Sequence, residues 1–137
     1  MERRIQIAAA LLTRNGDETL LVRKKGTSAF MQPGGKLEPD ETAEQALVRE
    51  LQEELGLEIS SPSMRYLGHF QAGAANEPDH LVVADVFEVE IGDQIARPTA
   101  EIAEIRWISI NGAASVPLAP LTRDHILPHY RRTVVNR

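Results

Sequence analysis

The chain has 137 residues and a net charge of −5, and it contains no cysteine. This length is typical of one domain with its own hydrophobic core, so we expect residues 1–137 to form a single domain. The lack of cysteine excludes a disulfide scaffold, a thiolate metal site and a cysteine nucleophile, and it favours a reducing, cytoplasmic location. No secretory signal is visible at the N-terminus, and the longest apolar run, Ile7 to Leu12, is too short to cross a membrane.

The negative charge is concentrated in one segment. Residues 35–57 contain seven acidic and two basic side chains, which accounts for the whole net charge of the chain. Such a local excess of carboxylates indicates a bound cation. The rest of the chain is electrically balanced and shows no broad basic face, although arginines cluster near the C-terminus. We therefore expect no polymeric nucleic acid as a partner.

The first half of the chain predicts a hairpin, a loop and a helix. Two strand-like segments, Arg4 to Thr13 and Thr19 to Lys25, flank the turn sequence Asn15-Gly16-Asp17. The glycine-rich segment Pro33-Gly34-Gly35 is expected to interrupt regular structure. A helix is predicted from Thr42 to Leu55.

The second half predicts three strands and a closing helix. The helix, Leu121 to Val135, contains Pro128, which we expect to interrupt or offset it. Strands and helices that alternate in this way favour a mixed sheet covered by helices. The predicted strands are Met64 to Ala72, Leu81 to Ile91 and Glu104 to Ile110.

The first predicted helix has clear boundaries. Thr42 and Gln45 have the spacing of a capping box, in which each side chain bonds the backbone of the other. Gly56 stands where a left-handed residue commonly ends a helix. Apolar residues at intervals of four form the buried stripe of this helix: Ala43, Leu47, Leu51 and Leu55.

Three glutamates share another side of the same helix. Glu50, Glu53 and Glu54 fall within an arc of about 100°. Like charges three and four residues apart repel each other, whereas Mg²⁺ and Mn²⁺ prefer oxygen-rich carboxylate clusters. On the helix alone, an ordinary acidic solvent face explains the pattern as well as a metal site does.

The spacing around this helix resembles the Nudix box, G-x5-E-x7-R-E-U-x-E-E-x-G-U, in which U is aliphatic. The match starts at Gly35, passes through Glu41 and Arg49-Glu50, and ends at Leu57, with agreement at every specified position. Pro33 and Gly34 also match the usual approach to the box. The resemblance implies the Nudix α/β/α sandwich, with a mixed sheet between helices. It also implies hydrolysis of a nucleoside diphosphate linked to another group, with Mg²⁺ as the cofactor and Mn²⁺ as a substitute.

The resemblance assigns expected roles to individual residues. Glu50, Glu53 and Glu54 match the metal-binding glutamates of the family, and Glu50 is also expected to orient or deprotonate the attacking water. Arg49 is expected to pair with Glu53 and fix its rotamer. Glu41 is expected to have a supporting part.

Two further metal ligands are expected outside the helix. The lack of a side chain at Gly34 lets its backbone carbonyl approach a metal. Glu101 lies six residues before Trp107 and resembles the loop glutamate of MutT-like Nudix enzymes, a metal ligand or general base. Glu104 is the alternative, so the sequence leaves the general base open among Glu101, Glu104 and Glu50.

The substrate is less well defined by the sequence. Lys25 is a candidate for contacting a phosphate, and Phe70 is a candidate for stacking on a base. The chain most resembles MutT-like enzymes that act on nucleoside triphosphates or modified nucleotides. The alternatives are other nucleotide derivatives (a nucleotide sugar, a dinucleotide or an RNA 5′ end) and a nucleotide-sensing module without turnover. Isopentenyl diphosphate isomerase shares the fold but needs a cysteine that this chain lacks. A homodimer is left open.

Overall fold

The structure is a computed structural model that describes residues 3–74, 78–112 and 115–135. The described residues form six strands, two α-helices, a short 3₁₀ turn (Ser61–Ser63) and a π-helical turn (Thr122–Ile126). The strands and helices are β1 (Arg3–Arg14), β2 (Glu18–Lys24), β3 (Gly34–Lys36), α1 (Ala43–Leu55), β4 (Met64–Gly73), β5 (His80–Val89), β6 (Ile102–Ser109) and α2 (Leu127–Val135).

Strand β1 organises the sheet, which has the order β4-β5-β1-β2-β6 with β3 also paired to β1. The β1–β5 pair is parallel and the other pairs are antiparallel, so the sheet is mixed, as predicted. The predicted hairpin is present, because Arg14 pairs with Glu18 across the turn. Asn15 and Gly16 both have positive φ angles in this turn, a conformation that asparagine and glycine adopt most easily.

Two apolar layers cover the sheet, one on each face. Alternate residues of β1 point to opposite faces. Ala8, Ala10 and Leu12 pack with α1 on one side, whereas Ala9 and Leu11 pack with α2 on the other. The predicted arrangement of a mixed sheet between helices is therefore confirmed. None of the helices in the described residues is long and apolar enough to cross a membrane.

The expectation that Pro33-Gly34-Gly35 interrupts regular structure is wrong at the glycines. Gly34 to Lys36 form β3, which pairs with Ile7 to Ala9 of β1. A Cβ at Gly34 would lie 2.1 Å from the carbonyl oxygen of Ala8, and the φ angle of Gly34 is +146°. Glycine is therefore what permits the pairing, because it tolerates both the close approach and the backbone angle.

The closing helix is interrupted near Pro128, as expected. The π-helical turn comes first, with the backbone N–H of Leu127 donating to the carbonyl of Thr122, and α2 follows from Leu127. Proline lacks an N–H and cannot donate a bond within the helix, so the ordinary α-helical ladder is broken at this point.

Candidate active site

Helix α1, which carries the box glutamates, is capped at both ends. The predicted capping box is present, since Thr42 Oγ1 accepts from the backbone of Gln45 and the Gln45 side chain accepts from the backbone of Thr42. Gly56 ends the helix in the left-handed conformation, also as predicted. Leu47, Leu51 and Leu55 bury one side of the helix against the sheet. This packing fixes the direction in which the glutamates point.

The three box glutamates differ sharply in burial. Glu54 is 1% exposed, the Glu50 side chain is 14% exposed, and the Glu53 side chain is 55% exposed. Glu54 Oε1 accepts from the backbone N–H of Gly34 at 3.0 Å. Its Oε2 atom is buried and has no hydrogen-bond partner among the described residues. Burial raises the pKa of Glu54 to about 7, against the opposing effect of the Gly34 N–H.

Glu50 lies directly over the glycine strand. A Cβ at Gly35 would be 2.5 Å from the Glu50 carboxyl carbon, so glycine is needed at this position to admit the carboxylate. Burial raises the pKa of Glu50, although its hydrogen bond with Arg49 acts in the opposite direction. The β3 glycines and the α1 glutamates therefore form one closely packed unit.

Arg49 connects this unit to the loop that precedes α1. Its guanidinium makes two bonds to Glu41, at 2.8 and 2.9 Å, and a third to the backbone carbonyl of Lys36. It also donates to Glu50 Oε1 at 2.7 Å. The expected pair with Glu53 is present, but at 3.6 Å it is longer than the contacts with Glu41 and Glu50. The hydrogen bonds from Arg49 and from the Glu38 backbone lower the pKa of Glu41 to about 2.

The loop before β6 is attached to the C-terminal end of α1. The backbone N–H of Thr99 donates to the carbonyl of Glu54 at 2.9 Å, and the Thr99 hydroxyl donates to the carbonyl of Glu53. These bonds satisfy carbonyls that have no partner within the helix. Sequence reasoning missed Thr99, because no local pattern links it to residues 46 positions away.

The two candidate loop acids have different surroundings. Glu101 lies 3.7 Å from the ammonium of Lys24, and its charge contributes to the raised pKa of Glu54. Glu104 instead bonds Arg106 at 2.8 Å and Arg23 at 3.4 Å, which lower its pKa. The fold therefore brings Glu101 toward the carboxylate cluster and pairs Glu104 with arginines.

The lysine near the cluster is Lys24, not the predicted candidate Lys25. Burial raises the pKa values of Glu50 and Glu54, and the positive charge of Lys24 opposes that increase in both. Lys25 is exposed, and its backbone N–H donates to the carbonyl of Glu101. Strand alternation was the missed signal, because Leu20 and Val22 of β2 face α1 and Lys24 is the next alternate residue, although the pairing of β2 with β6 shifts register between Arg23 and Lys24.

Phe70, the candidate for base stacking, packs on the α2 face of the sheet. Its ring lies 5.2 Å from the His129 ring in an edge-to-face arrangement, and it also approaches Gly68. It contributes to the apolar layer beneath α2. The structure therefore places Phe70 among packing residues and on the opposite face from α1.

The donor set suits a divalent cation of the Mg²⁺ type. Within the described residues, no three acidic or histidine side chains are already arranged to hold a metal ion. Arg49 engages Glu50, and one Glu54 oxygen accepts from Gly34. The other Glu54 oxygen is buried without a partner, which is costly for a carboxylate unless a cation or donor reaches it. Carboxylate oxygens are ligands that hard divalent cations such as Mg²⁺ prefer.

Comparison with known proteins gives a consistent family assignment. A family model for the NUDIX domain matches residues 3–130. The CTP pyrophosphohydrolase of Escherichia coli (strain K12) is 34% identical over 120 residues, which cover 85% of this chain and 84% of that protein. The putative 8-oxo-dGTP diphosphatase of Bacillus subtilis (strain 168) is 29% identical over 76% of this chain and 66% of that protein.

A solved structure extends the likeness to three dimensions. The solution structure of the E. coli ORF135 protein has a TM-score of 0.77 and 29% identity, and the match covers 99% of this chain and 94% of that chain. The range matched by the family model includes both the glycine strand and the glutamate helix.

Proposed function

This chain belongs to the Nudix family and is a pyrophosphohydrolase, and from that premise we propose that it hydrolyses a nucleoside triphosphate or a modified form of one. The products are a nucleoside monophosphate and pyrophosphate, with one water consumed. The observation that carries the proposal is the buried, unpartnered oxygen of Glu54, which lies beside Glu50, Glu101 and Lys24. The relatives named for CTP and 8-oxo-dGTP support a nucleoside triphosphate as the substrate class.

We assign Mg²⁺ as the cofactor, with Mn²⁺ as a substitute. Glu50, Glu53 and Glu54 would hold it, together with the backbone carbonyl of Gly34 and the side chain of Glu101. When bound, the cation neutralises phosphate charge and lowers the pKa of a coordinated water. The exposed Glu53 is free to turn toward an incoming ligand, whereas the buried Glu54 is already oriented.

The remaining residues position groups or transfer a proton. Arg49 holds Glu50 against Gly35 through its short hydrogen bond, with Glu41 as its anchor. Glu101 accepts the proton from the attacking water. Its side chain is 62% exposed, so it reaches solvent and substrate.

We expect the basic side chains near the carboxylate cluster to bind the substrate phosphates. Lys24 is the proposed contact for a phosphate oxygen. Its ammonium lies 3.7 Å from Glu101, which is one of the proposed metal ligands. Lys25 is exposed on the adjacent position and assists by charge. Phe70 remains a proposed base contact, although its packing against His129 favours a structural part.

We further propose that residues 1–137 act as one domain in the cytoplasm on a small-molecule nucleotide, without polymeric nucleic acid or membrane. The chain lacks cysteine, which suits a reducing compartment. The charges outside residues 35–57 sum to zero, which disfavours a long polyanion as a partner. A homodimer stays open and is measured by light scattering.

The test is a hydrolysis screen over nucleoside triphosphates, nucleotide sugars and dinucleotides, with products separated by ion-exchange chromatography. We expect monophosphate and pyrophosphate from a triphosphate, complete loss of turnover with a chelator, and recovery with Mg²⁺. A thermal shift on adding Mg²⁺ reports binding separately. Full activity in the presence of the chelator would disprove the metal assignment, and nucleotide binding without turnover would make the chain a sensing module.

Two variants test the ligand set within the same screen. Glu53→Gln and Glu54→Gln each remove a negative charge, so metal affinity and turnover should both fall. Raising Mg²⁺ should restore part of the loss by mass action. Thr42→Ser provides a matched control, because it preserves the helix cap and leaves the glutamates unchanged.

A further inference from the structure

A buried amide lies on the α2 face, close to the active site in sequence but outside it. Gln32 is 6% exposed, and its Oε1 atom accepts from the hydroxyl of fully buried Thr122 at 2.7 Å. Its Nε2 atom is buried and has no hydrogen-bond partner among the described residues. Leaving such a donor unpaired is costly, so a group that accepts a hydrogen bond is expected there.

Gln32 and Thr122 line a small cavity with otherwise apolar walls. Its volume is about 80 Å³, and its walls include Ile7, Ala9, Val82 and Leu121. Of the described residues that line it, only Gln32 and Thr122 have polar side chains. A buried water normally needs two to four polar partners, and these walls offer few. A largely apolar ligand edge that carries one hydrogen-bond acceptor suits these walls.

Two features near this pair, one of conformation and one of position in the chain, relate it to a functional site. Thr122 is the first residue of the π-helical turn, a rare conformation that occurs often at functional sites. Gln32 is two residues before Gly34, whose N–H bonds the buried Glu54. A ligand edge held by Gln32 would therefore lie near the segment whose backbone bonds Glu54.

We propose that Gln32 determines substrate specificity by donating a hydrogen bond from Nε2 to an oxo group at C6 of a purine or C4 of a pyrimidine. The proposal rests on the proposed nucleotide hydrolysis and narrows its substrate class to bases with an oxo group at that position. Thr122 is a positioning residue, because its hydroxyl holds the Gln32 oxygen and turns the nitrogen toward the ligand. An amino group at the same ring position presents a donor to a donor, which leaves both unpaired.

Binding of nucleoside monophosphates tests this proposal without turnover. IMP and AMP differ at one ring position in carrying an oxo or an amino group, and UMP and CMP differ in the same way. We expect isothermal titration calorimetry to show about 10-fold tighter binding of IMP than of AMP, and of UMP than of CMP. Equal binding within both pairs, or tighter binding of AMP and CMP, would overturn the proposal.

Variants of the two residues separate specificity from packing. Gln32→Met should bring both ratios close to one, and Thr122→Val should reduce them because the amide is released. Thr122→Ser keeps the hydroxyl and should retain the wild-type ratios. Unchanged ratios in Gln32→Met would exclude Gln32 as the discriminating group. If Gln32→Met unfolds, the double variant Gln32→Met/Thr122→Val removes both polar partners together and provides the same measurement.

The outcome for hydrolysis is distinguishable from the outcome for specificity. A wild-type protein that prefers IMP but hydrolyses no nucleotide would contradict the proposed function and support the specificity of Gln32. A protein that hydrolyses triphosphates with no preference between oxo and amino bases would support the function and overturn the role of Gln32.

Discussion

The two faces of the sheet share the central strand β1 but differ in the side chains that surround it. On the α1 face, the carboxylates of Glu50 and Glu54 lie against β3, where Gly35 leaves room for Glu50 and the backbone N–H of Gly34 bonds Glu54. On the α2 face, apolar side chains surround a single buried amide–hydroxyl pair, Gln32 and Thr122. The first face concentrates charge, and the second face excludes water.

We infer that the α1 face carries out the hydrolysis, whereas the Gln32–Thr122 pair on the α2 face selects the substrate. Residues on the α1 face come mainly from one continuous helix, and their substitution should change the rate constant. The Gln32–Thr122 pair joins segments 90 residues apart in the chain, and its substitution should change which substrate is accepted. Each prediction below would break this division or sharpen it.

The largest effect is expected for Glu101→Gln. The amide keeps the shape of the side chain but cannot accept a proton near neutral pH. We therefore expect kcat to fall by roughly 10²- to 10⁴-fold, the usual range for a general base, with little change in thermal stability. The measurement is kcat as a function of Mg²⁺ concentration.

The rescue behaviour distinguishes two roles for Glu101. Failure of Mg²⁺ to restore activity agrees with proton transfer, whereas full recovery would make Glu101 only a metal ligand. Glu104→Gln is the matched control, because Glu104 is engaged by Arg23 and Arg106. A large loss in the control would transfer the role to Glu104.

The α2 face should respond in stability and not in rate. Leu127 is 1% exposed in the apolar layer beneath α2. Leu127→Ala should lower the free energy of unfolding by about 2–5 kcal/mol, the usual cost of a cavity in a core. We expect kcat to stay within about twofold of the wild type when measured well below the melting temperature.

Leu51→Ala is the matched variant on the α1 face. Leu51 is also fully buried, but it lies between Glu50 and Glu53 on α1. It should lose similar stability and also lose turnover, because the helix that carries the glutamates shifts. Equal losses of turnover in Leu51→Ala and Leu127→Ala would show that the two faces are not independent.

The sequence predicts the α1 face well because its signals are local. The capping box, the apolar stripe and the glutamates all lie between Thr42 and Gly56, so helical spacing alone places them together. The spacing of the box also selects Glu41 in the preceding loop, but it points to Glu53 as the partner of Arg49, whereas the shorter bonds of Arg49 go to Glu41 and Glu50.

The sequence predicts the rest less well because the contacts are remote or depend on register. β3 was missed, since glycine disfavours strands in general, yet here it allows Gly34 to approach Ala8. The sequence points to Lys25 as a phosphate contact, whereas only the folded strand shows that Lys24 lies beside Glu101. The Gln32–Thr122 bond has no local pattern and needed the closed fold.

The metal-free protein should lose stability as pH rises from about 4.5 to about 7. Glu54 has an ordinary pKa of 4.5, which burial raises to about 7 in the folded state. Between these values the folded state binds the proton more tightly, so stability is fully present below pH 4.5 and declines up to pH 7. The total is up to about 3 kcal/mol.

Chemical unfolding of chelator-treated protein between pH 4.5 and 8 measures this decline. Glu54→Gln has no proton to lose at this position, so its unfolding free energy should be flatter across the same range. Added Mg²⁺ should reduce the decline in the wild type, because the cation stabilises the charged carboxylate. Identical pH profiles for the wild type and Glu54→Gln would contradict the buried, unpartnered state of this side chain.

The smallest effect is expected for Arg49→Ala. Loss of the guanidinium releases Glu50, so kcat should fall by about 10- to 100-fold while stability changes by about 1 kcal/mol or less. Because Arg49 favours the charged form of Glu50, its removal should also raise the pKa of Glu50 and move the acid limb of the kcat profile to higher pH.

Arg49→Lys keeps the charge but lacks the planar fork that bonds Glu41 twice, so an intermediate loss is expected. Arg123→Ala breaks a surface pair with Asp124 and should leave kcat and its pH profile unchanged. An Arg49→Ala profile that matches that of Arg123→Ala would reduce Arg49 to a surface ion pair.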